Sequence, residues 1–433
     1  MDSLVTITIC IYLVLTVRKS GGLYGLLKFM LLIHVAGDYL FSEYWETALT
    51  GYAFMREVTD EMRFQGNLFL WVAVILTDAS FFGIGRFVGG AKSLIGFSGK
   101  VDFATSKRFG LFLLVVAFSI KLYIALNIGF FNIIPADTIG YYGLHSIVNT
   151  LIPIGAGAFF GLNFIPVSIL FMLTALLSYS KAQALIFFAA YAVYCSYGYG
   201  YKATMQKMFS VKILVVIVLM IAVIGFKTAT RGGNEEGNAI SNDLLMENAV
   251  AAVDARLLGG IHRAYLTVMD EIVSGRMDTM GGRYHLQTLY LWIPSAIWPE
   301  KPSVASQELY YYLHVIGEEY GTSFAINPIG FLVVDFGLIG AFIGIIFLGI
   351  LLRLGEFGLI SVISTNAKDI DGQTFRAGLV TSWVMSVQFL SEGGIPPMIL
   401  GLLVSLVSCV AGYVLYILLF SIIRRKSARR EYL

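Results

Sequence analysis

The stretch Asn327-Pro328-Ile329-Gly330-Phe331-Leu332-Val333-Val334-Asp335-Phe336-Gly337-Leu338-Ile339-Gly340-Ala341-Phe342-Ile343-Gly344-Ile345-Ile346-Phe347-Leu348-Gly349-Ile350-Leu351-Leu352 contains a single charged side chain, Asp335. At about 1.5 Å per helical residue, roughly twenty such residues cross the ~30 Å hydrocarbon core of a bilayer. Its apolar positions are continuous rather than alternating, which selects a helix over a strand of a transmembrane barrel. Comparable runs occur at 2–17, 22–41, 68–90, 109–131, 143–162, 164–179, 183–200, 211–230, 375–391 and 398–422. The pattern predicts an all-α polytopic membrane protein of about eleven transmembrane helices.

Composition agrees. A mean hydropathy of +0.77, 57% apolar residues and only 13% charged residues exclude an ordinary soluble domain. Cys10, Cys195 and Cys409 all fall within apolar runs, where they act as small hydrophobes rather than disulfide partners. Met1-Asp2-Ser3 supplies no basic segment ahead of the first run, so 2–17 reads as a retained span and not a cleaved signal peptide.

Lysine and arginine in short loops set the orientation. Arg18-Lys19, then Lys92, Lys100, Lys107 and Arg108, then Lys202, Lys207 and Lys212, and finally Arg424-Arg425-Lys426 with Arg429-Arg430 fall on one side. The other side receives the acidic loop of Glu43, Glu46, Glu57, Asp60 and Glu61 and one large insert at 231–326. This places the C-terminus in the cytoplasm, and the N-terminus and the insert outside. The expected organisation is N-terminal transmembrane helices over 1–230, a large, mostly helical external loop over 231–326, and C-terminal helices with a basic cytoplasmic tail over 327–433. No internal repeat or inverted pair of broken helices is legible, which counts against a secondary transporter. Lys28, Asp38, Asp78, Arg86, Lys121 and Asp335 are charged positions inside spans. Most lie near a span end, where long side chains reach the interface; Asp78 is the deepest.

The insert concentrates polar chemistry: three of the five histidines, twelve of the 28 carboxylates and six Lys/Arg. Ser241-Asn242-Asp243 caps a predicted helix over 244–273, on which Arg256 and Arg263, seven apart, share a face. Two guanidinium forks on one stripe suit phosphate oxygens. Downstream, Gly281-Gly282-Arg283-Tyr284-His285 leads into Leu286, Leu289, Tyr290 and Ile293 at helical spacing, ended by Pro294. With Trp292 and Trp298 this predicts a short interfacial helix that presents Arg283 and His285 at the membrane surface. The insert lacks paired-histidine zinc spacing, a phosphate-binding Gly-x4-Gly-Lys loop and a nucleophile elbow. The expected chemistry therefore uses no metal and no cofactor.

The run Gly282-Arg283-Tyr284-His285-Leu286, continuing through Ile293-Pro294-Ser295-Ala296-Ile297-Trp298-Pro299-Glu300-Lys301-Pro302, resembles bacterial O-antigen polymerases of the Wzy type, part of the oligosaccharide repeat-unit polymerases. So does Asn327-Pro328 through Asp335-Phe336-Gly337-Leu338-Ile339-Gly340, as do the chain's size and its one large loop. The resemblance implies a GT-C-like integral glycosyltransferase of the bacterial inner membrane. Its partners would be undecaprenyl-diphosphate-linked oligosaccharide donor and acceptor, membrane lipids and a chain-length regulator, with no nucleic acid. A span midway along such chains opens with a Ser-Arg pair; the counterpart here is Ser180-Lys181, where lysine keeps the charge but loses the bidentate fork.

A glycosyl diphosphate already carries a good leaving group, so catalysis chiefly needs the departing charge stabilised. Arg256, Arg263 and Arg283 are the expected diphosphate ligands, with Arg231, Lys301 and Lys181 as further candidates. His285 is the expected base, and His262, His314 and Glu318 are alternatives. Tyr284, Tyr290 and Tyr310 to Tyr312 are candidates to stack on sugar rings. Two other readings share parts of this pattern: an O-antigen ligase, and a flippase or exporter with Asp78, Arg86 and Lys121 lining a cavity.

Overall fold

The structure is a computed structural model; it describes residues 2–20, 22–40, 58–87, 107–128, 139–176, 201–208, 260–290, 297–300, 326–364, 378–383 and 394–431, together with positions 187, 190–191, 195, 293, 375–376, 386 and 390. The helices with described bounds are α1 (Asp2–Ser20), α2 (Gly22–Leu40), α3 (Asp60–Phe87), α4 (Lys107–Ile128), α5 (Ile139–Phe160), α6 (Phe164–Leu176), α7 (Tyr201–Met208), α8 (Gly260–Val273), α9 (Arg283–Leu286), α10 (Pro328–Ser364) and α11 (Ile395–Glu431). No strand occurs among the described residues. Four helices are long and apolar enough to cross a bilayer: Asp60–Phe87, Lys107–Asn127, Pro328–Gly358 and Ile395–Leu419. The chain is an all-helical membrane protein. Of the expected spans, 211–230 lies outside the described residues, as does most of 183–200.

Helix ends follow local chemistry. α3 begins eight residues before the expected 68, so Asp60 and Glu61 belong to its first turn and not to a loop. Thr59 explains the difference: its hydroxyl accepts the Met62 N–H at 3.3 Å, and its carbonyl accepts Arg63 N–H at 3.0 Å. The two carboxylates then lie at the positive end of the helix and Arg86 in its last turn. α10 starts on Asn327, whose side-chain oxygen accepts the Gly330 N–H at 2.8 Å, with Pro328 in the first helical position.

The chain divides into two compact units, each assembled from separated segments. The first comprises Met1–Gly96, Val250–Ile360 and Ser386–Gly401. Within it α1 packs on α2 and α3, and α8 packs on α2 and α3. Asp78, buried among α1, α2 and α3, is explained by its neighbours. Lys28 Nζ lies 2.6 Å from its Oδ1, Tyr12 donates to its Oδ2 at 2.7 Å, and the Lys28 ammonium sits 4.6 Å from the Tyr24 ring centre. The pair thus ties α1, α2 and α3 together with each charge met by an opposite charge or a dipole. Arg86, by contrast, is exposed. On α10, Ile339 and Ile343 are 85% and 72% exposed, an outward apolar surface suited to acyl chains rather than water.

The second unit comprises Phe97–Ala249, Ser361–Met385 and Leu402–Leu433. Its core gathers Phe109, Leu113, Ala117, Val148, Ile152 and Phe171 around α4, α5 and α6. α4 and α5 approach closely because small residues meet: a Cβ on Gly110 would lie 2.9 Å from Ala158 Cβ, and one on Gly155 would lie 3.1 Å from Gly110 O. Without a hydrophobic force between helices in lipid, such close packing supplies much of the association energy. Cys195 and Cys409 are buried and all three thiols are free.

Gly110→Ala forces that interface apart and is expected to cost about 1–3 kcal/mol. Gly83→Ala, with nothing within 4 Å of the new methyl group, is expected to be neutral or stabilising by up to about 1 kcal/mol. Thermal unfolding of the two variants in detergent checks the contrast; equal midpoints would contradict it.

Candidate functional site

Among the described residues of the first unit, two of the charged centres involve the insert. The first forms where the loop after α8 meets α10. α8 ends in a Schellman turn: Gly275 takes φ 69°, Arg276 N–H reaches Glu271 O at 3.0 Å and Gly275 N–H reaches Ile272 O at 3.2 Å. The chain then runs to Gly281 and Gly282, both left-handed, with φ of 61° and 88°.

α10 is broken at Gly337, whose φ of 69° and ψ of −179° fall in a region essentially restricted to glycine. On the turn before the break, the carbonyls of Val334 and Asp335 accept Met280 N–H at 2.9 Å and Gly282 N–H at 3.1 Å. Glycine also permits the close approach, since a Cβ on Gly282 would lie 3.2 Å from Phe336 and one on Gly337 would lie 3.3 Å from Thr279. The two quoted motifs, Gly282-Arg283-Tyr284-His285 and Asp335-Phe336-Gly337, are therefore a single structure.

The Asp335 side chain holds it together. Fully buried, it accepts Tyr284 N–H at 3.1 Å and His285 N–H at 2.8 Å, capping α9, while His285 Nδ1 lies 2.6 Å from Oδ2. A carboxylate only accepts, so Nδ1 carries a proton, and in the neutral imidazole the Nε2 lone pair is left for another donor. Nε2 is buried and has no hydrogen-bond partner among the described residues. Tyr284 stacks on Phe331 with centroids 4.7 Å apart and planes 10° from parallel, and the imidazole lies 5.1 Å from the Phe336 ring. Arg283 is exposed beside them. α9 continues as a 3-10 turn, Gln287–Leu289, with Leu286 and Leu289 exposed and Trp298 6.0 Å from Tyr290. Of the expected interfacial helix the described residues form α9 and this 3-10 turn; Trp292 and Pro294 lie outside the described residues.

The second centre joins α2, α3 and α8. Asp38, near the end of α2, accepts Arg263 Nε–H at 2.8 Å, and Arg63 Nε lies 3.5 Å from its other oxygen. His262 is fully buried next to Arg263, and neither ring nitrogen has a hydrogen-bond partner among the described residues. Burial pushes its pKa down to about 4; Asp38 opposes the shift, and the Arg63 and Arg263 guanidiniums reinforce it. His34, one helical turn before Asp38, is buried with Nδ1 unpartnered. Tyr265 links the centres: its hydroxyl donates to Gly66 O at 2.8 Å, and its ring faces Gly330, the neighbour of Phe331.

Arg263 is thus not a surface phosphate ligand; it is 3% exposed and paired with Asp38. The reason is that α8 is buried on nearly all sides, with Ile261, His262, Tyr265, Leu266, Val268 and Met269 inside, and a cation there must bring its counter-ion. His285 is half-buried against Asp335 and Arg283 is exposed at the same loop. Arg231, Arg256, Lys301, Lys181, His314, Glu318 and Tyr310 to Tyr312 lie outside the described residues, as does the part of the expected helix before Gly260.

Sequence reasoning passed over Asp335, Asp38, Arg63 and His34 as functional residues. A lone acid in a 26-residue apolar run, and a His-Asp pair four apart in α2, were the available signals; Arg63 offered none. No family model, curated protein or solved structure matches the chain.

His262 is neutral when folded and titrates near its ordinary value, about 6.5, when unfolded. Between pH 6.5 and about 4 the unfolded chain binds the extra proton, so stability falls as pH falls through that window, by about 3 kcal/mol from this residue. Thermal unfolding in detergent across pH 4–7 (approximate limits) should show native protein losing stability relative to His262→Asn by that amount. Parallel pH profiles would contradict the assignment.

Proposed function

We propose that the chain is a polymerase of undecaprenyl-diphosphate-linked oligosaccharide repeat units, a GT-C-like glycosyltransferase of about eleven spans working at the periplasmic face of the inner membrane. The observation that supports this reading most is the Asp335–His285 pair, with its buried, unpartnered Nε2 beside the exposed Arg283 on an interfacial loop. In the proposed step a sugar hydroxyl of the acceptor attacks the anomeric carbon of the donor. The new glycosidic C–O bond forms as the C–O bond to diphosphate breaks. The hydroxyl proton passes to His285 Nε2, and the departing diphosphate takes the bonding electrons.

Asp335 fixes the imidazole's orientation and tautomer and stabilises the imidazolium that forms, a general-base arrangement worth ~10²–10⁴-fold in rate. Arg283 receives the leaving diphosphate, which a guanidinium does without losing its proton. Arg256, Arg231, Lys301 and Lys181 are its proposed co-ligands, whereas Arg263 is committed to Asp38. Tyr284 is stacked on Phe331 and forms part of the wall behind His285. The Lys28–Asp78 pair weighs against the exporter reading, because Asp78 is engaged by Lys28 and Tyr12 rather than offered to a cavity.

His285→Gln and Asp335→Asn are each expected to lower elongation of lipid-linked repeats by roughly 10²-fold or more. Arg283→Ala is expected to lower it ~10²–10³-fold. The measurement is chain-length ladders from cells carrying each variant, alongside elongation by purified protein in detergent without a membrane gradient. Polymerisation predicts single capped repeats and normal protein levels. Undiminished ladders in all three variants would overturn the reading. Accumulated lipid-linked polymer would instead favour a ligase, and failure of the purified native protein to elongate would favour an exporter.

A further inference from the structure

Gln287 follows α9 directly and is fully buried, yet neither its amide nitrogen nor its amide oxygen has a hydrogen-bond partner among the described residues. Its backbone is fixed, with right-handed helical angles of φ −56° and ψ −29° and a carbonyl that accepts Tyr290 N–H at 2.9 Å. A buried carboxamide is ordinarily satisfied; this one has both its donor end and its acceptor end unmet. Rotating the amide end for end leaves the deficit the same. A deficit of both kinds selects the ligand. An ionised phosphate only accepts, so it would leave the amide oxygen unmet. A ring with hydroxyls on adjacent carbons both donates and accepts, and one such pair meets both ends of a carboxamide.

The position says which ring. Leu286 and Gln287 both keep helical angles, so the turn runs on from Arg283, and Arg283 and Gln287, four apart, project from the same side. They are separated by about 6 Å along the axis, comparable with the width of a pyranose. Arg283 is exposed and Gln287 is buried, so this side leads from the surface inward. Leu286 and Leu289, 55% and 69% exposed, show that the turn itself runs along the surface and give it an apolar outer face. Guanidinium, carboxamide and leucines thus offer partners for a diphosphate, a sugar and a prenyl chain on one short stretch.

We infer that Gln287 binds the sugar ring of the donor, its carboxamide exchanging hydrogen bonds with two adjacent ring hydroxyls while Arg283 holds the diphosphate on the same ring. Gln287 is a specificity-determining residue and moves no proton. A sugar that lacks either hydroxyl leaves one end of the buried amide unpaired and binds more weakly. That the ring is the donor's rests on the glycosyl-transfer reading; that the ligand bears hydroxyls rests on the amide alone.

The test uses the purified full-length protein in phosphatidylcholine nanodiscs, titrated by calorimetry with octyl β-glucoside, octyl β-galactoside and octyl α-mannoside below their micellar concentrations. The ring-free control is 1-octanol, and thermal unfolding without ligand is measured in parallel. Native protein should bind at least one glycoside saturably and 1-octanol not at all. Gln287→Met, close in size but without the two polar ends, should bind that glycoside about tenfold more weakly. It should unfold at the native midpoint or above, because an unmet buried amide has been removed. No saturable glycoside binding by native protein, binding matched by 1-octanol, or equal affinity in Gln287→Met would overturn the inference. So would a Gln287→Met protein that fails to fold or unfolds below the native midpoint, since the amide would then serve the fold. Elongation of lipid-linked repeats separates the two proposals. Gln287-dependent glycoside binding by a native protein that does not elongate sinks the polymerase reading alone; elongation by Gln287→Met at the native KM sinks this inference alone.

Discussion

Asp335 makes one carboxylate serve three donors at the opening of a membrane-spanning helix. It accepts two backbone N–H groups of α9 and the imidazole of His285 while fully buried. Without those donors a carboxylate there would carry a large desolvation penalty. Charge and loop are therefore mutually dependent: the acid is tolerated because the loop covers it, and the loop is ordered because the acid caps it. The break at Gly337 completes the arrangement, because the turn before it supplies the carbonyls that accept Met280 and Gly282.

The same constraint governs the other polar groups of this unit. Lys28 and Asp78 neutralise one another where α1, α2 and α3 meet, with Tyr12 and Thr16 completing their hydrogen bonds. Asp38 does the same for Arg63 and Arg263 across α2, α3 and α8. In each case a charge on one helix is met from others, so electrostatics fixes which helices stay together where hydrophobic burial cannot discriminate between lipid and protein. Each arrangement buries polar atoms without a hydrogen-bond partner among the described residues, Asp78 Oδ1 in the first, both His262 nitrogens in the second and His285 Nε2 beside Asp335, although Asp78 Oδ1 has the Lys28 ammonium 2.6 Å away.

Glycine has two duties in the two units, and in the first it serves both, since Gly349 of α10 packs against Ser80 and Thr77 of α3. In the second, Gly110 and Gly155 let helix backbones approach, a packing role that any residue with a side chain would obstruct. In the first, Gly282 and Gly337 supply backbone conformations that bring a loop and a helix break together. One use governs how tightly helices associate; the other determines where functional groups point.

Continuous apolar runs and the polar insert were legible from the chain alone, because helix formation and bilayer thickness act over a few neighbouring residues; the cap at Thr59, which starts α3 eight residues before the expected point, was not. Asn327-Pro328 announced the start of α10, and Gly282-Arg283-Tyr284-His285 with Asp335-Phe336-Gly337 stood out as motifs. That these two motifs are one site could not be read, since fifty residues separate His285 from Asp335. Nor could the pairing of Arg263 with Asp38, 225 positions away, which turned an expected surface ligand into a buried one. Local propensity specifies the elements, but a buried charge selects its partner by proximity in space, and only the folded chain supplies that proximity.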